Sequence, residues 1–189
     1  MTPMAATTLL RTLQKGQRDH DVKAHKDIYF LSSPNRILHL TLHVSKYAGR
    51  LAKRRLAKKE LAVTIVDAFL IALSAAEVLE MDLSQAFKRW TDPRKHDTLQ
   101  SFGLTLNRER IKADDLSDWY FRQVADVAGR MAKACESLDH MEPVPYRDML
   151  SVAILDLCRT TIVAAAVLSL DLSAAVRMRW EAIESKKIL

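Results

Sequence analysis

The segment "VDAFLIALSAAEVLEMDLS" (66–84) decides the fold, because the chain contains a second version of it, "LDLCRTTIVAAAVLSLDLS" (155–173). The two versions align without a gap, and eight of their nineteen positions are identical. Upstream of each lies a second matching pair, "KYAGRLAK" (46–53) and "DVAGRMAK" (126–133), in the same order. Two similar phrases repeated in one order indicate a duplicated helical unit.

The composition favours helices over a turn-rich β fold. Of the 189 residues 49% are hydrophobic, whereas only four are glycine and five are proline, the residues that most turns require. The sequence therefore predicts an all-α helical bundle built from two tandem three-helix repeats.

The chain divides into four segments on this interpretation. We expect a polar arm with at most a short helix over 1–32, a first repeat over 33–90, a connector over 91–113 and a second repeat over 114–189. Ser33 and Pro34 are typical of a helix start, and Asp82 is predicted to cap a short helix over 83–90. The helix that follows Pro34 has an apolar face, and we expect His39, His43 and the basic residues to lie on its exposed face.

Several classes of protein are disfavoured. Cys135 and Cys158 lack the spacing of a zinc or disulfide motif, so we expect buried reduced thiols. The first residues contain no apolar run typical of a signal sequence. The apolar stretches 61–79 and 149–170 each contain an aspartate, which predicts core helices of a cytoplasmic protein with no membrane span.

The formal net charge of +6 indicates an anionic partner. Basic residues cluster at 53–59, 88–90, 93–96, 107–112 and 177–180. A phosphate-bearing ligand, either a nucleotide or a nucleic acid, would meet this charge. A solvated basic surface is the alternative.

The order of these motifs resembles the MazG-like all-α nucleoside triphosphate pyrophosphohydrolases. In that family a Glu-x-Gly-Glu-Leu phrase precedes Glu-x-x-Asp in an apolar helix, and Ile-Asp-Leu-Glu follows. At this third position the chain has the similar turns "EMDLSQAFKRW" (80–90) and "SLDLSAAVRMRW" (169–180). The resemblance covers about 40–90 and 120–182. It implies cleavage between the α and β phosphates by water activated by Mg²⁺, with four acidic side chains as metal ligands.

The chain departs from the family at these acidic positions. The residues that occupy the four positions are Tyr47, Arg50, Thr64 and Asp67 in the first copy and Val127, Arg130, Ala153 and Asp156 in the second. One carboxylate of four remains in each copy. We expect Arg50 to pair with Asp67, and Arg130 with Asp156, without a metal. On this interpretation the chain is a family dimer fused into one polypeptide, with both metal sites lost.

Three functions follow as hypotheses. The first is a catalytically degenerate binding or scaffold module, with no cofactor, whose ligand-binding residues are Lys46, Arg50, Asp67, Lys88, Arg130 and Asp156. The second is an active Mg²⁺-dependent pyrophosphohydrolase with a rearranged site drawn from Glu60, Asp67 and Asp156. The third and weakest is a nucleic-acid-associated regulator. A protein partner also suits the first hypothesis, and the duplication predicts a pseudo-dimeric monomer or a homodimer.

Overall fold

The computed structural model describes residues 5–53 and 56–185, and within these residues it contains nine α-helices and no β-strand. The helices are α1 (Ala6–Ala24), α2 (Lys26–Tyr29), α3 (Ser33–Leu51), α4 (Lys58–Val78), α5 (Leu83–Ala86), α6 (Leu99–Leu106), α7 (Leu116–Asp139), α8 (Tyr146–Val167) and α9 (Leu172–Glu184). Short 3-10 turns lie at Phe87–Arg89 and Pro93–Lys95. The prediction of an all-α bundle is confirmed.

Four long helices, α3, α4, α7 and α8, pack against one another and form the centre of the bundle. The two apolar helices α4 and α8 each bury thirteen residues. By length and composition alone both helices would suffice to cross a membrane, and 72% of the apolar window of each is buried inside the protein. That burial is what the core helices of a bundle show.

The repeated segments end their helices in the same way. Glu80 after α4 and Ser169 after α8 both adopt the left-handed conformation, with φ of 55°. The amide of the next residue then bonds the carbonyl five residues earlier, at 2.8 and 2.9 Å, which satisfies a carbonyl at the helix end. Asp82 and Asp171 cap the helices that follow. The predicted cap at Asp82 is therefore confirmed, and the repeat in sequence has a local structural counterpart.

The prediction of a polar arm over 1–32 is wrong for its described part. Residues 6–24 form the nineteen-residue helix α1, which packs against α4, α5 and α9. Its buried face carries Leu10 and Leu13 and then Gln17, His20 and Asp21. The last three are polar, so the apolar periodicity that would have predicted a long helix stops halfway.

The connector predicted over 91–113 is partly helical. It contains α6, whose buried Leu99, Phe102 and Leu106 pack it onto α8. Helix α3 begins at Ser33, as predicted, and ends at Leu51, and Ser32 is its N-cap residue, without a side-chain hydrogen bond. Arg54 and Arg55 of the predicted basic run lie outside the described residues. Both cysteines are buried free thiols, as predicted.

Gly103 lets α6 approach α8 closely. A Cβ atom at this position would lie 2.6 Å from the Cβ of Ala166 and 2.7 Å from the backbone oxygen of Ile162. A Cβ atom cannot lie this close to other heavy atoms, so one of the two helices would have to move.

We predict that Gly103→Ala lowers the free energy of unfolding by about 1–3 kcal/mol. Gly129→Ala is the matched control, because a Cβ at Gly129 meets nothing within 4 Å. Alanine is a better helix former than glycine, so the control should be about 0.5–1 kcal/mol more stable than the wild type. Urea unfolding of the three proteins measures both effects, and equal stability of the two variants would contradict the close packing of α6.

Candidate functional site

A cavity of about 280 Å³ opens between α1, α2, α3, α4 and α9. Four cationic side chains, two carboxylates and four of the six histidines line it: Arg36, Lys46, Arg50 and Arg179; Asp21 and Asp67; and His20, His25, His39 and His43. Apolar side chains, including Leu40, Leu70 and Ile71, form the rest of its wall. We call it the basic cavity. Its size and mixed lining are typical of a site for a small molecule.

Asp67 lies in the floor of the basic cavity between two arginines. The Nε of Arg179 donates to Oδ1 at 2.7 Å and its Nη2 to Oδ2 at 3.3 Å. Arg50 lies on the other side, with its Nη1 3.6 Å from Oδ2. The Asp67 side chain is only 8% exposed, and a carboxylate buried to this extent requires such partners. The predicted pair with Arg50 is present, and Arg179 is a second partner that the sequence did not indicate.

The second predicted pair is also present. Arg130 Nη2 lies 3.0 Å from Asp156 Oδ2, and its Nε donates to Asp126 at 2.8 Å. The Asp156 side chain is 26% exposed, against 8% for Asp67. Neither Arg130 nor Asp156 lines the basic cavity. The two pairs are therefore separate features with different degrees of burial.

Two cations of the cavity wall have no carboxylate partner among the described residues. The guanidinium of Arg36 stacks over the ring of Tyr29, with Cζ 4.6 Å from the ring centroid. Lys46 Nζ lies 3.1 Å from Nδ1 of His43 and 5.2 Å from the centroid of Tyr47. Neither contact neutralises the charge, so both cations remain available to an anionic ligand.

His43 is held uncharged at neutral pH. Burial, followed by the nearby charges of Lys46, His39 and His25, lowers its pKa from 6.5 to about 4. The neutral ring can accept a hydrogen bond from the Lys46 ammonium at Nδ1, which agrees with the distance between them. Burial raises the pKa of Tyr47, so its hydroxyl stays protonated.

A series of buried and part-buried hydrogen bonds joins α9, α1 and α4 at the cavity wall. Trp180 Nε1 donates to Oε1 of Gln17 at 2.7 Å, and Gln17 Nε2 donates to Asp21 Oδ1 at 2.7 Å. The Ser74 hydroxyl donates to the other oxygen of Asp21 at 2.6 Å. Gly16 allows this arrangement, since a Cβ there would lie 2.6 Å from the ring of Trp180. These hydrogen bonds hold α1 and α9 at fixed positions against α4.

His20 occupies the same inner wall and is 3% exposed. Its Nδ1 lies 3.0 Å from Oε1 of Glu184, and its ring stacks on Trp180. Its Nε2 is buried and has no hydrogen-bond partner within the described part of the chain. A buried polar atom of this kind favours a ligand or an ordered water nearby.

The structure brings together only part of the predicted site. Lys46, Arg50 and Asp67 line the basic cavity. Lys88 lies outside it, exposed on a 3-10 turn and bonded to Gln85. His39 and His43, expected on an exposed face, are half-buried in the cavity wall because α1, α2 and α9 cover that side of α3.

The residues of this cavity do not fit the Mg²⁺ site that the family resemblance implies. Both oxygens of Asp67 already face guanidinium groups. Glu60 accepts the amide of Ala57 at the exposed start of α4. Across residues 5–53 and 56–185, no group of three or more His, Cys, Asp or Glu side chains is placed to hold a metal. We therefore derive no reaction step through a metal.

Sequence reasoning missed the contributions of α1 and α9 to the site. Asp21, Gln17 and His20 lie on a segment interpreted as an arm, and Arg179 was assigned only to a basic cluster. A partial signal did exist for the first half of α1: the spacing of Ala6, Leu10 and Leu13 fits one apolar helix face. No sequence signal places Arg179 beside Asp67, because 112 positions separate them.

Comparisons with protein-family models, with curated proteins and with solved structures find no match to this chain. The function is therefore inferred from the geometry of the site.

We predict that the protein loses stability as the pH falls from about 6.5 to about 4, in part through His43. In this range the unfolded chain binds a proton at His43 and the folded chain does not, so acid favours unfolding. His43→Gln retains an acceptor for Lys46 but does not titrate. Thermal unfolding across this range should show a shallower pH dependence for the variant. The other titrating groups are common to both proteins, so identical pH profiles would contradict the lowered pKa.

Proposed function

We propose that this protein is a non-hydrolytic binding module for a phosphate-bearing small molecule, held in the basic cavity without a metal ion. One observation carries the proposal: the carboxylate that the family resemblance would assign to a metal is bonded by Arg179 and faced by Arg50. Two guanidinium groups thus take the place of a cation.

The cations around the cavity support a phosphate ligand. Arg36 and Lys46 form no ion pair among the described residues, and Arg50 lies 3.6 Å from Asp67, which is longer than a direct hydrogen bond. Arg179, by contrast, is engaged at both ends of the carboxylate. Arg179 therefore serves as the structural counter-ion, and Arg50, Lys46 and Arg36 would contact the phosphate.

The position of Arg179 also suits a fused dimer of two MazG-like repeats. Arg179 lies in α9, within the proposed second repeat, whereas Asp67 lies in the first. In a dimer of single repeats such a residue would come from the partner subunit. We include in the proposal that the chain is such a fused dimer and that the protein is a pseudo-dimeric monomer.

We predict that pyrophosphate and nucleoside phosphates bind in the presence of EDTA, measured by isothermal titration calorimetry at low salt. Arg50→Gln and Lys46→Gln should each weaken binding about tenfold, since a hydrogen bond to a charged group contributes about 1.5–3 kcal/mol. Lys95→Gln removes an exposed charge outside the cavity and should have little effect. If no phosphate compound binds, the ligand-binding part of the proposal is wrong and a protein-interaction scaffold is the hypothesis that remains.

Asp67→Asn separates this proposal from the alternative of an active pyrophosphohydrolase. If Arg50 holds the phosphate, removal of the competing carboxylate should leave binding unchanged or tighten it. If Asp67 or Asp156 is a metal ligand, Asp67→Asn or Asp156→Asn should abolish pyrophosphate release in Mg²⁺ or Mn²⁺. Pyrophosphate release by the wild type that either variant abolishes would overturn the binding module, and the melting temperature of each variant would show that it folds.

A further inference from the structure

The two carboxylates of the basic cavity have opposite surroundings. Asp67 is neutralised by arginines on either side. Asp21 is 9% exposed and receives hydrogen bonds from the amide of Gln17 and the hydroxyl of Ser74, both of them neutral groups. Among the residues that the structure describes, Asp21 forms no ion pair within 4.0 Å.

A buried carboxylate without a cationic partner is energetically unfavourable. Two neutral donors satisfy part of its hydrogen-bonding capacity, because an ionised carboxylate has about four acceptor positions. Asp21 thus lacks a cationic partner among the described residues and has room to accept further N–H or O–H donors. It lines the cavity, so a bound molecule is in a position to supply them.

The charged side chains of the cavity that form no ion pair among the described residues lie on two different helices. The carboxylate of Asp21 lies on the wall formed by α1, whereas Arg36 and Lys46 lie on the wall formed by α3. A ligand with only a negative charge would pair with Arg36 and Lys46 on the α3 wall and leave Asp21 without a cationic partner. A ligand with both a negative and a positive end would match both walls.

We infer that the ligand of the basic cavity is a zwitterion, with a phosphate at the wall formed by Arg36 and Lys46 and an ammonium group bonded to Asp21. An aminoalkyl phosphate ester is the simplest member of this class. The inference rests on the proposed function, since it takes the phosphate contact from it and adds the second end of the ligand. Gln17 acts as a positioning residue, because it is held by Trp180 and in turn orients Asp21.

Calorimetry with O-phosphoethanolamine, ethyl phosphate and ethanolamine tests this inference, because the first two differ only in the ammonium group. We expect O-phosphoethanolamine to bind the wild type about tenfold or more tightly than ethyl phosphate. Asp21→Asn should remove this difference. Asp19→Asn is the matched control: Asp19 is an exposed acid of the same helix, paired with Arg18 at 3.7 Å, and its loss should preserve the preference.

The outcomes separate the two proposals. Equal affinity for the two phosphates, or a preference that survives in Asp21→Asn, would overturn the zwitterionic ligand and leave the proposed phosphate site intact. If neither phosphate binds, and the nucleotides and pyrophosphate do not bind either, the proposed function is wrong and this inference with it. If Asp21→Asn does not fold, as its melting curve would show, the affinity ratio of the two phosphates in the wild type decides.

Discussion

The buried carboxylate of Asp67 is the constraint on which the arrangement of this protein depends. It lies in α4, a helix with thirteen buried residues that packs against α1, α3, α8 and α9. A charge at such a position is stable only with bonded partners. Arg179 from α9 supplies two hydrogen bonds, and the guanidinium of Arg50 from α3 lies 3.6 Å away, so this one carboxylate links α3 and α9 to α4.

A second polar network determines how the cavity is closed. The hydrogen bonds among Trp180, Gln17, Asp21 and Ser74 connect three helices at the cavity wall. Networks in a low-dielectric interior are directional, so they specify one arrangement of the helices more strongly than apolar packing alone does. The same groups present the cavity with a carboxylate and the buried ring of His20. Closure of the fold and the chemistry of the cavity therefore depend on the same side chains.

The two similar segments, 66–84 and 155–173, end their helices in the same way but have different surroundings. Glu80 and Ser169 end equivalent helices with the same φ of 55°, because a helix end is governed by local backbone hydrogen bonds. Asp67 and Asp156 occupy equivalent positions, yet only Asp67 lies in the basic cavity. Helices α1 and α9 pack on α4, whereas α6 packs on α8. The surroundings of each aspartate are thus set by the segments that pack on its helix.

The sequence by itself determined the features that depend on neighbouring residues: the all-α class, the two apolar core helices and the cap at Asp82. These follow from periodicity, local capping and short loops. Only the tertiary structure decided that residues 6–24 form a core-packed helix and that Arg179 reaches Asp67. It also decided that His39 and His43 line a cavity rather than a surface. The physical reason is that these features depend on contacts between distant segments, and the buried polar residues that make those contacts interrupt the apolar pattern from which a sequence is interpreted.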